Sequence, residues 1–361
     1  MKIAFTADVH LSPARPERID NLGNVMKELN RNGVSTLVIA GDLLDSADDG
    51  YIEFDRLAAE HANMSIIIIP GNHDPVLRPG MFESPGIEVI TAPVVREIGG
   101  AVFMFLPYNE GDTMGGAIEK SGLAGQLQRG RWFLVSHGDF GRINREQSGN
   151  EQGYFPLAVR DIQQYRPSRV ILGHVHAPNA ADEEVVYCGS PWPLDINETG
   201  QRRILLLDTG SGKLDGVPLT GTPLYARTRI SLIPDGMEGE QIRAQIASAI
   251  EEEEKRYRGE GLQTSLVMRV HVSGYSTTRE NIREIIEDTV KGYGASVEGV
   301  DLDSLKVSQN DDLARIAIMV RDRISSMGIR VPGEHAPYIN EAELKQEVLK
   351  RAYEIIYGQG R

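Results

Sequence analysis

Residues 65–74, SIIIIPGNHD, carry the clearest indication of the fold. Its four consecutive isoleucines predict a strand, since β-branched side chains suit a pleated backbone and a short apolar run suits a buried strand. A Pro-Gly pair ends the run, and an Asn-His-Asp triplet follows at once. We therefore expect a buried strand that delivers three chemically active side chains to one edge of a sheet.

Four further segments repeat this design, in which an apolar strand gives way to Asp, His or Gly. They are Asp8-Val9-His10, Gly41-Asp42, His137-Gly138 and Gly173-His174-Val175-His176. Helical patterns over Ile19–Arg31 and Ile52–Asn63 separate the first three strands, and this βαβαβ order predicts an α/β fold with a largely parallel sheet. Because sites form at the carboxyl ends of such strands, we expect the five segments to converge on one cleft.

The residue types in these segments are those of a metal site. Nitrogen and oxygen donors without thiolate suit Mn²⁺, Fe or Zn²⁺. Residues two apart in an extended segment point to the same side, so Asp8 and His10, like His174 and His176, are able to approach one metal cluster. Asp42 has two oxygens with which to bridge two ions, and neighbouring glycines allow close approach of the backbone.

Together the five segments resemble the signature of the calcineurin-like metallophosphoesterases, over the part of the chain that ends near residue 210. The resemblance implies a four-layer α/β/β/α sandwich and two divalent metal ions, for which we expect Mn²⁺, with Fe or Zn as alternatives. It implies one ion held by Asp8, His10, Asp42 and His176, and a second held by Asp42, Asn72, His137 and His174. It further implies that His73 faces the scissile phosphate and that Asp74 orients His73 or an adjacent loop.

Within that superfamily the chain most resembles the SbcD-like nuclease subunits of DNA double-strand-break repair. The resemblance is carried by the opening residues Met1–Leu11, by Tyr187–Pro191, and by an additional α/β module after the catalytic domain. It implies manganese-dependent cleavage of DNA ends, homodimerisation, and pairing with an SMC-type ATPase of the SbcC type. One position departs from the pattern, because those nucleases often carry His three residues after the bridging Asp, where this chain has Asp45.

The domain boundary is predicted in the Gly-, Pro- and Thr-rich stretch Leu214–Tyr225. We expect a phosphoesterase domain over 1–221, a capping module over 222–310 and a helical segment over 311–361. The module is predicted to be βαβαβ, with its last strand near Ser304–Val307. The helix at Glu341–Tyr357 carries an apolar stripe that either packs on its own protein or docks a partner.

The bulk properties limit the function classes. A net charge of −14 argues against binding DNA by a broad electrostatic surface alone. The single cysteine, Cys188, excludes an internal disulfide framework and fits the cytoplasm, and no apolar run is long enough for a membrane span. Two alternatives to a nuclease stay open: a phosphodiesterase or phosphatase acting on a small molecule, a nucleotide or a phosphoprotein, and a non-catalytic scaffold. The intact His73 and the complete ligand set argue against the scaffold.

Overall fold

The computed structural model describes residues 1–46, 50–141, 153–234, 236–257, 265–308, 310–328 and 341–358. The chain divides into two compact units, Met1–Thr222 and Pro223–Arg361. Each unit is built around its own sheets and its own apolar core.

Six strands of the described residues form the first sheet of the first unit, and the chain enters it at its centre. In sheet order they are β11 (Lys213–Pro218), β10 (Arg203–Asp208), β1 (Lys2–Thr6), β2 (Thr36–Ala40), β3 (Ser65–Ile69) and β4 (Ile87–Val89). Strands β1 to β4 are parallel, whereas β10 and β11 run antiparallel to their neighbours. The carboxyl ends of β1, β2 and β3 therefore lie side by side at one edge.

Five strands, counted over the same described ranges, form the second sheet in the order of the chain. They are β5 (Val94–Ile98), β6 (Ala101–Leu106), β7 (Trp132–His137), β8 (Arg169–Gly173) and β9 (Val185–Tyr187). Strands β6 to β9 are parallel. Buried side chains of the two sheets, among them Phe5, Ile69, Phe103 and Phe133, share one cluster, so the sheets lie face to face.

Helices cover the outer faces of both sheets. Helices α1 (Pro16–Arg31) and α2 (Tyr51–Glu60) share an apolar cluster with the first sheet. Helices α3 (Met114–Ser121) and α4 (Val159–Tyr165) share another with the second sheet, beside a short 3₁₀ turn at Leu123–Gln126. The predicted four-layer α/β/β/α arrangement is confirmed, and it follows from sheets whose two faces are both apolar.

The second unit contains a parallel sheet in which β13 (Leu266–Ser276) pairs with β12 (Leu224–Leu232) on one side. On its other side β13 pairs with β14 (Ser296–Asp301) and then with β15 (Leu305–Val307). Helices α5 (Glu238–Tyr257) and α6 (Ile282–Gly292) share its apolar cluster. The predicted βαβαβ module had its last strand at β15 and wrongly left out β14, which has the longer pairing with β13. The large apolar residues of β14 are only Val297 and Val300, so its sequence pattern is weak.

Two helices follow, α7 (Asp311–Ser326) and α8 (Glu341–Gly358), and residues 329–340 between them lie outside the described range. Tyr353 of α8 and Ala317 of α7 are buried together with Ile233 and Tyr275 of the module. The helix α8 therefore packs on its own protein along one side, while Ile355 on another side is 64% exposed. No described helix is long and apolar enough to cross a membrane.

Candidate metal centre

All seven predicted metal ligands lie at the carboxyl edges of the two sheets. They follow β1 (Asp8, His10), β2 (Asp42), β3 (Asn72) and β8 (His174, His176), while His137 is the last residue of β7. Direct contacts connect them across long stretches of chain: the backbone N–H of His174 donates to Asp8, and Nε2 of His137 lies 3.3 Å from Oδ2 of Asp42. Donor atoms of Asp8, His10 and His176 lie within 4.8 Å of one another, as do those of Asp8, Asp42 and His137.

The backbone at these ligands adopts an unusual conformation. Seven described residues other than glycine have positive φ, and four of them are predicted ligands: Asp8 (53°), His10 (50°), Asp42 (52°) and His174 (89°). A left-handed conformation is unfavourable for side chains with a Cβ, and it persists at sites where the surroundings enforce it. The strain is thus concentrated where the candidate chemistry lies.

Glycines beside the ligands make room for them. A methyl group at Gly41 would overlap the imidazole of His137, and one at Gly71 would overlap the carboxylate of Asp42. At Gly173 it would overlap the backbone carbonyl of Ala40. These three positions accept no larger residue without displacing a ligand or the strand end that carries it.

The imidazole of His137 faces more acceptors than a neutral ring is able to satisfy. Its Nδ1–H donates to the carbonyl of Ala40 at 2.9 Å, which leaves Nε2 directed at Oδ1 of Asn72 (3.0 Å) and Oδ2 of Asp42 (3.3 Å). Both oxygens are acceptors, as is the lone pair of Nε2. The arrangement requires positive charge between these atoms, supplied by a second proton on His137 or by a metal ion.

For His10, burial opposes a second proton. Burial lowers the pKa of His10 to about 4, although the carboxylate of Asp42 acts in the opposite direction. Its Nδ1–H donates to Oδ1 of Asp45 at 3.1 Å. Its Nε2 is buried, has no hydrogen-bond partner among the described residues, and lies 3.7 Å from Oδ2 of Asp42. A buried lone pair facing a carboxylate oxygen fits a bound cation.

Oδ2 of Asp42 lies 3.7 Å from Nε2 of His10 and 3.3 Å from Nε2 of His137, a position that fits a bridging carboxylate. Burial alone would raise the pKa of Asp42, but the charge and hydrogen bond of His137 and the N–H of His73 together lower it. Burial also lowers the pKa of His137, and Asp42 overcomes this to raise it to about 9. Burial raises the pKa of Asp8 to about 6. Acids and bases with displaced pKa values in one cleft are typical of a functional site.

His73 and Asp74 differ sharply in their surroundings. His73 is exposed, its Nδ1–H donates to the carbonyl of Asp45 at 3.1 Å, and its backbone N–H donates to Oδ1 of Asp42 at 2.9 Å. Its donor atoms also lie within 4.8 Å of those of His10 and Asp42. Asp74 is fully buried, and its oxygens accept the N–H groups of Gly71 (2.7 Å) and Leu44 (3.1 Å). Asp74 thus joins the loops that follow β2 and β3.

Sequence reasoning missed one carboxylate at this site. Oε1 of Glu198 accepts from Nδ1 of His176 at 2.6 Å, and its other oxygen accepts from Ser190 and Leu194. Glu198 lies far from a strand end, in the long loop between β9 and β10, so no pattern in the sequence distinguishes it from a surface glutamate. The sequence marks Asp45 only as a departure from the family pattern, and the structure places its carboxylate on His10.

Known proteins resemble the chain to different degrees. The SbcD subunit of the SbcCD nuclease of Escherichia coli K12 is 25% identical over 279 residues, covering 62% of this chain and 69% of its own length. The corresponding protein of E. coli O157:H7 gives the same values. A solved structure of an archaeal phosphodiesterase is 17% identical and covers 61% of this chain and 100% of its own, with a TM-score of 0.33, which is too low for functional sites to be compared.

The family is shown by a broader match. Residues 1–200 match the model of the calcineurin-like phosphoesterases, a family that uses divalent metals. This range contains every predicted ligand together with His73 and Asp74. The chain therefore belongs to the calcineurin-like phosphoesterase family.

Proposed function

We propose that this phosphoesterase hydrolyses phosphodiester bonds of DNA and is a nuclease of the SbcD type. The observation that carries the hydrolase part is the convergence of two buried imidazole nitrogens on the Asp42 carboxylate. Nε2 of His10 lies 3.7 Å and Nε2 of His137 lies 3.3 Å from its Oδ2, while the Nδ1–H of each ring is donated elsewhere. Such a cluster of nitrogen and oxygen donors suits two divalent cations, of which Mn²⁺ is our first choice.

The ligands divide into two sets that share Asp42. Asp8, His10 and His176 form the first set with it, and Asn72, His137 and His174 form the second. The side chain of Asp42 supports this division, because its Oδ2 faces one imidazole of each set. When bound, two such ions supply Lewis-acid polarisation of a phosphate and activation of water for in-line displacement.

His73 is our proposed acid. With Nδ1–H donated to the carbonyl of Asp45, the ring presents Nε2 as its other polar atom. A protonated Nε2 donates to a phosphate oxygen or to the leaving oxygen as the ester bond breaks. Exposure of His73 supports this role over that of a ligand, since the other histidines of the site are buried or half-buried.

Asp74 is our proposed positioning residue for two loops. Its two oxygens hold the backbone on either side of the bridging ligand, through Leu44 and Gly71. The contacts fix the separation of Asp42 and Asn72, because each of these residues lies within two positions of a bonded N–H group. Of the two expected roles, orienting His73 or an adjacent loop, we propose the second for Asp74.

DNA as the substrate rests on the likeness to the E. coli nuclease subunit, which is 25% identical over a match that covers 62% of this chain. One observation favours a second candidate, a hydrolase of small phosphodiesters. The carboxylate of Asp45 is 47% exposed next to His73, where it opposes a polyanionic backbone more than a single phosphate.

Partners follow from the same likeness and are proposals. We propose a homodimer and an SbcC-like SMC-type ATPase. Helices α7 and α8 offer exposed apolar side chains for such an ATPase, namely Ile316, Met319, Val348 and Ile355. Substituting Met319 and Ile355 together by Glu should abolish co-purification with the ATPase while leaving hydrolysis by the chain alone intact.

The test uses the purified chain with Mn²⁺ on end-labelled linear duplex and single-stranded DNA, with bis-p-nitrophenyl phosphate in parallel. His73→Ala is the inactive control, and His271→Ala in the second unit is the matched control for loss of a histidine. We expect short nucleotide products from the wild type and from His271→Ala only. Cleavage of the small diester with DNA untouched would reject the nuclease and favour the second candidate.

A further inference from the structure

Two of the predicted ligands, His10 and His176, have side chains held by the same kinds of contact, although they follow strands of different sheets. In each, Nδ1 donates to a carboxylate: His10 to Asp45 at 3.1 Å and His176 to Glu198 at 2.6 Å. A carboxylate that accepts Nδ1–H fixes the tautomer with its lone pair on Nε2 and makes the ring a stronger base.

A buried arginine completes each of these supports. Nη1 of Arg18 donates to the backbone carbonyl of His10 at 2.6 Å and lies 3.7 Å from Oδ1 of Asp45. Nη1 of Arg202 donates to the backbone carbonyl of His176 at 2.8 Å, and its Nη2 lies 3.5 Å from Oε2 of Glu198. Each arginine thus donates to the histidine backbone and lies within ion-pair distance of the carboxylate. We call this group of three an Arg–carboxylate–His unit.

The guanidinium of each Arg–carboxylate–His unit is buried. Arg18 is 9% exposed and Arg202 is 1% exposed. The carboxylate of Glu198 has two further donors, the hydroxyl of Ser190 (3.1 Å) and the backbone N–H of Leu194 (2.9 Å).

Among the described residues, the histidines of the other ligand set have weaker carboxylate support. Nδ1 of His137 donates to the neutral carbonyl of Ala40. Nε2 of His174 lies 3.5 Å from Oδ1 of Asp139, farther than the Nδ1 atoms of His10 and His176 lie from their carboxylates, and Nδ1 of His174 lies 3.0 Å from the neutral Oδ1 of Asn72. The third member of this set, Asn72, is a neutral ligand. The set containing Asp8, His10 and His176 therefore carries more negative charge than the set containing Asn72, His137 and His174. It also has two imidazoles whose Nδ1 atoms donate to carboxylates.

We propose that Asp45 and Glu198 are positioning residues for one of two unequal metal sites. This site, formed by Asp8, His10, Asp42 and His176, binds its ion more tightly and fills first. The inference rests on the ligand division of the proposed function. It goes further in assigning the order of filling to two carboxylates and two arginines outside the ligand set.

The test is titration of the chelator-treated chain with Mn²⁺, followed by calorimetry and by the electron paramagnetic resonance signal of free Mn²⁺. We expect two classes of site in the wild type. Glu198→Gln and Asp45→Asn should each weaken the tighter class about tenfold or more and leave the weaker class unchanged. Glu184→Gln and Asp20→Asn make the same chemical changes at exposed positions and should leave both classes unchanged.

Several outcomes would overturn the inference: two equal classes in the wild type, equal weakening of both classes by the variants, or no weakening by either. Far-UV circular dichroism verifies folding. If Glu198→Gln does not fold, Asp45→Asn still decides the matter, because its carboxylate is about half exposed. Two unequal sites without hydrolysis of any phosphodiester would reject the proposed function and leave this inference intact.

Discussion

Replacing Gly71 by Ala tests whether the spacing of the ligand loops controls the site. A Cβ at Gly71 would lie 2.5 Å from the backbone nitrogen of Asp42, about 0.9 Å short of an ordinary contact at 3.4 Å, and it would overlap the Asp42 carboxylate as well. Because a backbone atom is involved, rotation of a side chain does not relieve the overlap. The loops after β2 and β3 must separate by nearly 1 Å, against the two hydrogen bonds of Asp74 that join them.

The expected cost in stability is about 1–3 kcal/mol, the usual range for overpacking. A displacement of this size at a bridging ligand should lower turnover roughly 100-fold. Gly125→Ala is the matched control, since a Cβ there meets nothing within 4 Å and its φ is not positive. Urea unfolding, metal content and hydrolysis of bis-p-nitrophenyl phosphate are measured for both variants. Wild-type stability and activity in Gly71→Ala would refute the reasoning.

The remaining predictions concern catalysis, metal binding and the second unit. His73→Ala should lower turnover on phosphodiesters 10²- to 10⁴-fold while retaining the metal content of the wild type, because an exposed acid is removed and no ligand is lost; loss of an ion in this variant would make His73 a ligand. Asp42→Ala should lose both metal and turnover, and wild-type metal stoichiometry would remove it from the bridging role. Removing metal with a chelator should lower the melting temperature by roughly 5–10 °C, because cations bind the folded chain and not the unfolded one. The reference is protein with Mn²⁺ at about 100 times Kd. Equal melting curves would argue against a metal site. Glu238→Ala should destabilise the second unit by about 1–3 kcal/mol in urea, because buried Glu238 accepts the N–H and hydroxyl of Thr277, whereas activity of the first unit should be unchanged.

The sequence alone was sufficient for the layered α/β fold and for the location of the candidate site. Burial of a strand depends on its own side chains, so the run Ile66–Ile69 is recognisable without its neighbours, and a parallel α/β order then brings strand ends to one edge. The ligand types are equally local, because Asp8 and His10, or His174 and His176, are separated by one residue. Strand β14 escaped recognition since its short stretch carries little apolar side chain.

Only the tertiary structure revealed what holds the ligands in place. The partners of His10 and His176 lie 35 and 22 residues away along the chain, and the arginines donate to backbone carbonyls that carry no sequence signal. The positive φ values at Asp8, His10, Asp42 and His174 are enforced by contacts between loops of different strands. The sequence thus determined which groups meet, because strand formation and ligand chemistry depend on local residues. The tautomers, charges and backbone strain of the ligands depend on neighbours distant in sequence, so only the folded chain determines them.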